Sequence, residues 1–300
     1  MINKTSNIKT DFIKFFKVGF IYLLATGLTG CGRPTLQYQK QDHHDEILGG
    51  KIVQASSAFA KRVLYLALAV KRTKTKFGST MTFEKVCTAS AISKNILLTA
   101  AHCVADLKPE DINVAISSNP LKSEKLDSSE WIYVEKIEIH PQFKIEPTIV
   151  NDVALIKLAS NLPVERISKL ISPDQVTKNM QMILVGFGVT ESGESKMNDR
   201  DSNQETLLNY VIKNINFNLL DQKINVNQTN QSGICSGDSG SPGFIYDPIR
   251  KEFVVLGVAS YVFQQKEQAA EIDPCHGTGV YMNVLTFKKW ILEASKRMLQ

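Results

Sequence analysis

Short apolar runs separated by turn-forming residues dominate the chain from about residue 60 onward. Residues 63–70, 90–99 and 131–139 are rich in β-branched and aromatic side chains and bounded by turn formers, and 153–158 and 253–260 add further apolar runs. Runs of this length and composition read as strands, and their density predicts an all-β barrel or sandwich. The period changes near the end. Phe287, Trp290, Ile291 and Ala294 recur at i, i+3, i+4 and i+7, the apolar face of a packed helix over 287–299.

The polar stretches between these runs predict the connections. Residues 32–46 contain Pro34 and show no apolar period, the pattern of a flexible tether. Residues 71–85 are polar and basic; they predict a long loop, either an exosite or, as charge runs usually are, a solvated hairpin tip. Residues 161–173 link the two halves, and 191–204 form a polar surface loop. His140 precedes Pro141, which restricts its backbone, so the strand 131–139 ends in a turn there.

The amino terminus is built for export. Lys4, Lys9, Lys14 and Lys17 precede an apolar run at 18–28 that is too short to span a bilayer comfortably, a secretory signal. It ends in Leu28-Thr29-Gly30-Cys31, which resembles a bacterial lipobox with Cys31 as the lipid-modified first residue. The protein is then expected at a membrane through Cys31, facing the periplasm or the cell surface, or released from it. An ordinary signal peptide with an incidental cysteine fits the same letters.

Composition narrows the partners. The net charge is +5, of which four leader lysines and Asp11 account for +3, leaving +2 and no reason to expect nucleic acid. Hydrophobic residues make up 43% and charged residues 22%, ordinary for a globular protein whose length suits one large or two small domains. Of 5 cysteines, Cys87, Cys103, Cys235 and Cys275 remain after Cys31, an even number as disulfides of an oxidising compartment require. Their spacings lack the paired C-x-x-C clusters of zinc sites, and His43 and His44 lack further ligands.

One stretch carries the chemistry: Cys235-Ser236-Gly237-Asp238-Ser239-Gly240-Ser241-Pro242. Its glycines permit a tight turn and keep the space over the Ser239 hydroxyl clear. The amides of Gly237 and Ser239 can then point at one spot, where an oxyanion would be stabilised. A serine nucleophile needs a histidine base, which a carboxylate must orient. Leu98-Thr99-Ala100-Ala101-His102-Cys103 and Asn151-Asp152-Val153-Ala154-Leu155-Ile156-Lys157-Leu158 supply one of each.

These three segments, in the order His, Asp, Ser, resemble the chymotrypsin/trypsin-like serine peptidases, and the likeness runs from about Ile47 to the end of the chain. The resemblance implies an all-β chymotrypsin-like fold of two six-stranded antiparallel β-barrels with a C-terminal helix. The expected layout is a signal at 1–30, a tether or propeptide at 31–46, a first barrel at 47–165 and a second at 166–300. It implies His102 as base, Asp152 as its orienter, Ser239 as nucleophile, and Gly237 and Ser239 as oxyanion donors. It also implies disulfides Cys87–Cys103 and Cys235–Cys275, and an auxiliary hydrogen bond from Ser260 to the Asp152 carboxylate. No metal or organic cofactor is required.

Ile47-Leu48-Gly49-Gly50 resembles the new amino terminus this family exposes on zymogen cleavage, where the freed isoleucine amine meets the aspartate before the nucleophile, here Asp238. The alternative is that Ile47 simply opens the first strand. Glu46 departs from the basic residue common before such cuts, leaving the activating protease unassigned. Gly233 and Ile234 match the pocket floor, with Gly279, Tyr261 and Val262 around it. The floor lacks the aspartate of Arg/Lys-selective members, which predicts a small or medium apolar residue before the scissile bond of a protein or peptide substrate. Ser241 stands where the family usually has glycine. A non-catalytic binding protein of this fold and an esterase using the same residues are the alternatives.

Overall fold

The computed structural model describes residues 47–300 except 48, 55, 76–77, 117–130, 178, 189–206, 216–217, 230–231 and 264–274; the side chains of 70–84 are also outside the description. Cys31, Glu46, the tether and the loop 191–204 therefore lie outside the described residues.

The first half carries β1 (Lys51–Ile52), β2 (Val63–Thr75), β3 (Gly78–Ala91), β4 (Ile96–Thr99), β5 (Ile112–Ala115), β6 (Trp131–Ile139) and β7 (Ala154–Leu158). Strands β2 to β7 close a six-stranded barrel in the order β2-β3-β4-β7-β6-β5, with β5 returning to pair with β2. The second half carries β8 (Lys169–Leu170), β9 (Met180–Gly186), β10 (Asn209–Ile215), β11 (Lys223–Asn227), β12 (Pro242–Asp247), β13 (Glu252–Phe263), β14 (Thr278–Asn283) and the helix α1 (Val284–Leu299). Its sheet follows the order β1-β10-β9-β12-β13-β14-β11, and β8 lies parallel to β13.

The fold is mostly β with a C-terminal helix, as expected; the first half is a closed barrel, and the second, expected as another barrel, is a curled sheet. The second sheet has eight strands where six were implied. Six of them are β9 to β14; the two-residue strands β1 and β8 are added against β10 and β13. Strand β1 comes from the start of the segment assigned to the first barrel, yet it pairs with β10: Lys51 stands opposite Tyr210 and Ile52 opposite Asn209.

Of two local expectations, the hairpin at 71–85 is found and the single strand at 90–99 is divided. The polar stretch 71–85 is the end of a long hairpin, in which β2 and β3 pair out to Thr75 opposite Gly78. Thr73, Thr75, Thr80 and Thr82 supply β-branched residues there, so strand propensity persists after apolar patterning stops. The run 90–99 is two strands and a turn, closed by the Ile92 N–H donating to the Ile96 carbonyl at 2.9 Å.

A continuous apolar core fills both halves. Helix α1 begins at Asn283, whose side chain caps it by accepting from the Leu285 N–H at 3.1 Å. Phe287, Ile291 and Ala294 are buried, as the helical period predicts. His140 packs its ring 5.5 Å from Phe287 and 4.9 Å from Trp290, so the His-Pro turn is a docking point for the helix. Among the described residues no helix is long and apolar enough to cross a membrane.

Candidate active site

The pairing of β4 with β7 places Thr99 opposite Ala154. The chain leaving β4 and the chain entering β7 therefore meet at one end of the barrel. All four β4 residues are buried, and a short 3-10 turn, Ala101–Cys103, follows. Ala101 and Cys103 stay in the core, which leaves His102 between them at the rim with 25% of its side chain exposed. The Cys87–Cys103 disulfide, with Cα atoms 6.3 Å apart, ties this turn to β3.

Asp152 is fully buried and receives His102 twice. The His102 backbone N–H donates to Oδ1 at 2.8 Å, and ring Nδ1 lies 2.7 Å from Oδ2. A carboxylate acceptor at Nδ1 favours the tautomer with the proton there, leaving the Nε2 lone pair free to take a proton. The Ser260 hydroxyl also donates to Oδ2. Burial alone would raise the Asp152 carboxyl. The hydrogen bonds from His102 and Ser260, with the charge of His102, outweigh burial and hold it below the ordinary carboxylate value.

Ser260 reaches across through a bulge. In the β13–β14 ladder Ala259 pairs with Tyr281 and Tyr261 with Val280, so Ser260 is the extra residue. Bulges re-aim a side chain in this way.

Ser239 sits where the two halves meet. Its carbonyl accepts from the Thr88 N–H of β3 at 2.8 Å. On the other side the Gly240 N–H donates to the Ala259 carbonyl, and the Ala259 N–H to the Ser241 carbonyl, each at 2.8 Å. The Thr88 hydroxyl donates to the Gly237 carbonyl at 3.0 Å. Cys103 Sγ lies 3.7 Å from the Ser239 carbonyl oxygen and 3.9 Å from His102 Nε2, so loop and imidazole flank one sulfur. Gly240, at φ 83°, cannot take a side chain: a Cβ there would overlap Thr99 Oγ1 and the Thr88 carbonyl. Sequence reasoning missed Thr88, whose only signal is its place after Cys87.

Behind this loop Asp238 is fully buried. Its Oδ1 accepts from the Gly188 N–H at 2.8 Å and its Oδ2 from the Cys235 N–H at 2.9 Å. Side chains at 186 or 188 would collide with this carboxylate. Ser241 and Tyr281 are buried nearby. Burial, then the Asp238 charge, pushes the Tyr281 phenol well up, so it stays protonated. Ile47 is also fully buried, at φ 53°, just before β1.

The expected pocket residues come together. Tyr261 and Val262 pair with Val280 and Gly279 across β13 and β14. A Cβ on Gly279 would lie 3.2 Å from Ile234 Cγ1. The Cys235–Cys275 bridge, with Cα atoms 5.1 Å apart, joins the segment carrying Gly233 and Ile234 to the one leading into β14. Residues 264–274, between Val262 and Cys275, lie outside the described residues. Gln228, which the sequence did not single out, reaches into the middle of this group.

Cys87, His102 and Cys103 are the group of metal-ligand atom types that lie close together among the described residues. Both sulfurs are spent in the disulfide, and a single imidazole does not make a metal site.

A protein-family model described as Trypsin matches residues 69–291. The CLIP domain-containing serine protease B15 of Anopheles gambiae is 25% identical over 229 residues, which cover 68% of this chain and 60% of that protein. The chain thus spans less than two thirds of that relative's length. The solved structure of HL collagenase shares 19% identity with a TM-score of 0.60, covering 83% of this chain and 99% of its own, a likeness of fold. Since the matched region covers well over half of the chain and runs from before His102 to beyond Ser239, with both disulfides in it, the chain belongs to the trypsin family of serine proteases.

Proposed function

We propose that this protein is a serine endopeptidase in which Ser239 attacks the scissile carbonyl and His102 takes and returns the proton. Asp152 holds the imidazole, and the amides of Gly237 and Ser239 stabilise the oxyanion. The observation that carries this reading is the buried Asp152 carboxylate bonded to both the backbone and the ring of His102. Acylation releases the amine half of the substrate, and water then hydrolyses the acyl-enzyme by the same proton route.

The pocket floor offers no carboxylate at Gly233 or Ile234, so a basic side chain before the scissile bond would have no partner there. A small or medium apolar residue is the preference this supports. Tyr261 and Val262 pair with β14 on one side and with no other described strand on the other, an edge that suits an extended peptide backbone added as a further strand.

Cleavage before Ile47 would free an amine that pairs with Asp238. Complete burial of both Ile47 and Asp238 favours this, since a buried carboxylate is best tolerated opposite a cation. Strand pairing also sets Ile52 opposite Asn209 and Asn209 opposite Gly186, and Gly186 lies against the Asp238 carboxylate. With all four cysteines after Ile47 in two internal bridges, no disulfide would hold the cut domain to Cys31. For an exported lipoprotein anchored at Cys31, activation by a second protease and release from the membrane would then be one event. Two disulfides suit an oxidising, extracytoplasmic compartment.

Peptide and ester hydrolysis by the exported protein, beside its Ser239→Ala variant, tests the reading. Peptide cleavage lost in the variant supports it. Ester turnover without peptide cleavage would point to an esterase, and active enzyme with an intact lipidated amino terminus would exclude coupled release.

A further inference from the structure

Gln228, directly after β11, is completely buried, and its amide is spent on backbone groups. Nε2 donates to the carbonyls of Ile234 at 3.0 Å and Cys275 at 2.8 Å, and Oε1 accepts from the Ile234 N–H at 2.9 Å. Its own N–H donates to the Gly277 carbonyl at 2.9 Å. One side chain thus bridges the segment leading to Ser239 and the segment leading into β14.

Two glycines frame that amide. A Cβ on Gly233 would overlap Gln228 Cγ and Cδ, and a Cβ on Gly279 would overlap Oε1 and come within 3.0 Å of Cδ. Gln228 occupies the space into which side chains at 233 and 279 would project. Those are the positions assigned above to the floor and wall of the substrate pocket. Both amide N–H groups are already bonded, so neither is free for a substrate. Next to Gly233, Ser232 accepts from the buried Lys213 ammonium at 2.6 Å, which brings a cation rather than an anion to this loop.

We propose that Gln228 sets the depth of the primary substrate pocket, closing its floor with a neutral amide and limiting the residue before the scissile bond to small uncharged side chains. This rests on the peptidase reading. The geometry also separates two contributions of Gln228: its volume sets depth, and its hydrogen bonds hold the walls together.

The test compares the wild-type processed protein with Gln228→Ala and Gln228→Met on peptides differing only in that residue: Ala, Val, Leu, Phe and Arg. The wild type should favour Ala and Val over Phe and Arg. Gln228→Ala should raise kcat/KM for Leu and Phe relative to Ala at least tenfold, whereas Gln228→Met, which keeps the volume, should retain the wild-type order at lower thermal stability. Unchanged ratios in Gln228→Ala would overturn the proposal. So would wild-type protein that cleaves best after Phe or Arg, a result that needs no variant to fold. Fluorophosphonate labelling of Ser239 is read alongside; a wild type that does not label overturns the peptidase reading itself, and labelling with the wrong residue preference overturns only the role of Gln228.

Discussion

Ser260, on β13 of the second sheet, donates its hydroxyl hydrogen to Asp152, the residue that leads into β7 of the first barrel. The carboxylate orienting His102 is thus held from both halves of the molecule. The bond depends on the bulge in β13, because without the extra residue Ser260 would stay in the regular ladder with β14.

Ser260→Ala removes one neutral-donor bond to a carboxylate that keeps two bonds from His102. A hydrogen bond to a charged group contributes about 1.5–3 kcal/mol, part of which relaxation recovers, so kcat/KM should fall on the order of tenfold. The loss should appear in kcat with KM little changed, since Ser260 touches no pocket residue through this bond. A loss confined to KM would contradict this placement.

Acid should weaken the fold partly through Asp152. Its folded carboxyl lies below the ordinary value, despite burial, because of its bonds to His102 and Ser260. The unfolded carboxyl titrates near about 3.9. Between the folded and unfolded values the unfolded chain binds more protons, so stability rises with pH there. The contribution is complete above the unfolded value and is lost as pH falls through the folded one. Urea midpoints should be flat near neutrality and decline below about pH 4, with a shallower decline in Asp152→Asn. Equal acid slopes in the two proteins would remove Asp152 from the explanation.

The Cys87–Cys103 bridge, at a sequence separation of 16, closes a loop around the turn that presents His102. Loop-closure entropy for that size is about 3 kcal/mol, so Cys87→Ser with Cys103→Ser should lower chemical stability by roughly this amount. Under conditions where the double variant is folded, kcat should fall more than KM rises, because the bridge positions the imidazole rather than the substrate. Unchanged kcat would show that the β4–β7 register alone fixes His102.

Much of the site was legible because its chemistry is local. The turn around Ser239 needs glycine at 240, the histidine turn ends in a bridging cysteine, and Asp152 opens an apolar strand; each leaves a mark in consecutive letters. The helix α1 was legible from its period. Gln228 was not, since its meaning comes from missing side chains at 233 and 279, which only the fold brings together. How far the hairpin strands continue beyond residue 70 was not legible, because they run on threonines rather than on alternating apolar residues. The pairing of β1 with the second sheet leaves no pattern in two residues.

The proposed enzyme carries an activated nucleophile at Ser239 in a chain beginning at Ile47. The most direct measurement is the intact mass of the exported protein before and after a fluorophosphonate probe. A probe-sized increment on the species starting at Ile47, absent from Ser239→Ala, is the predicted result. A processed species that gains no mass while a control peptidase labels fully would contradict the account and leave a binding protein with a peptidase fold.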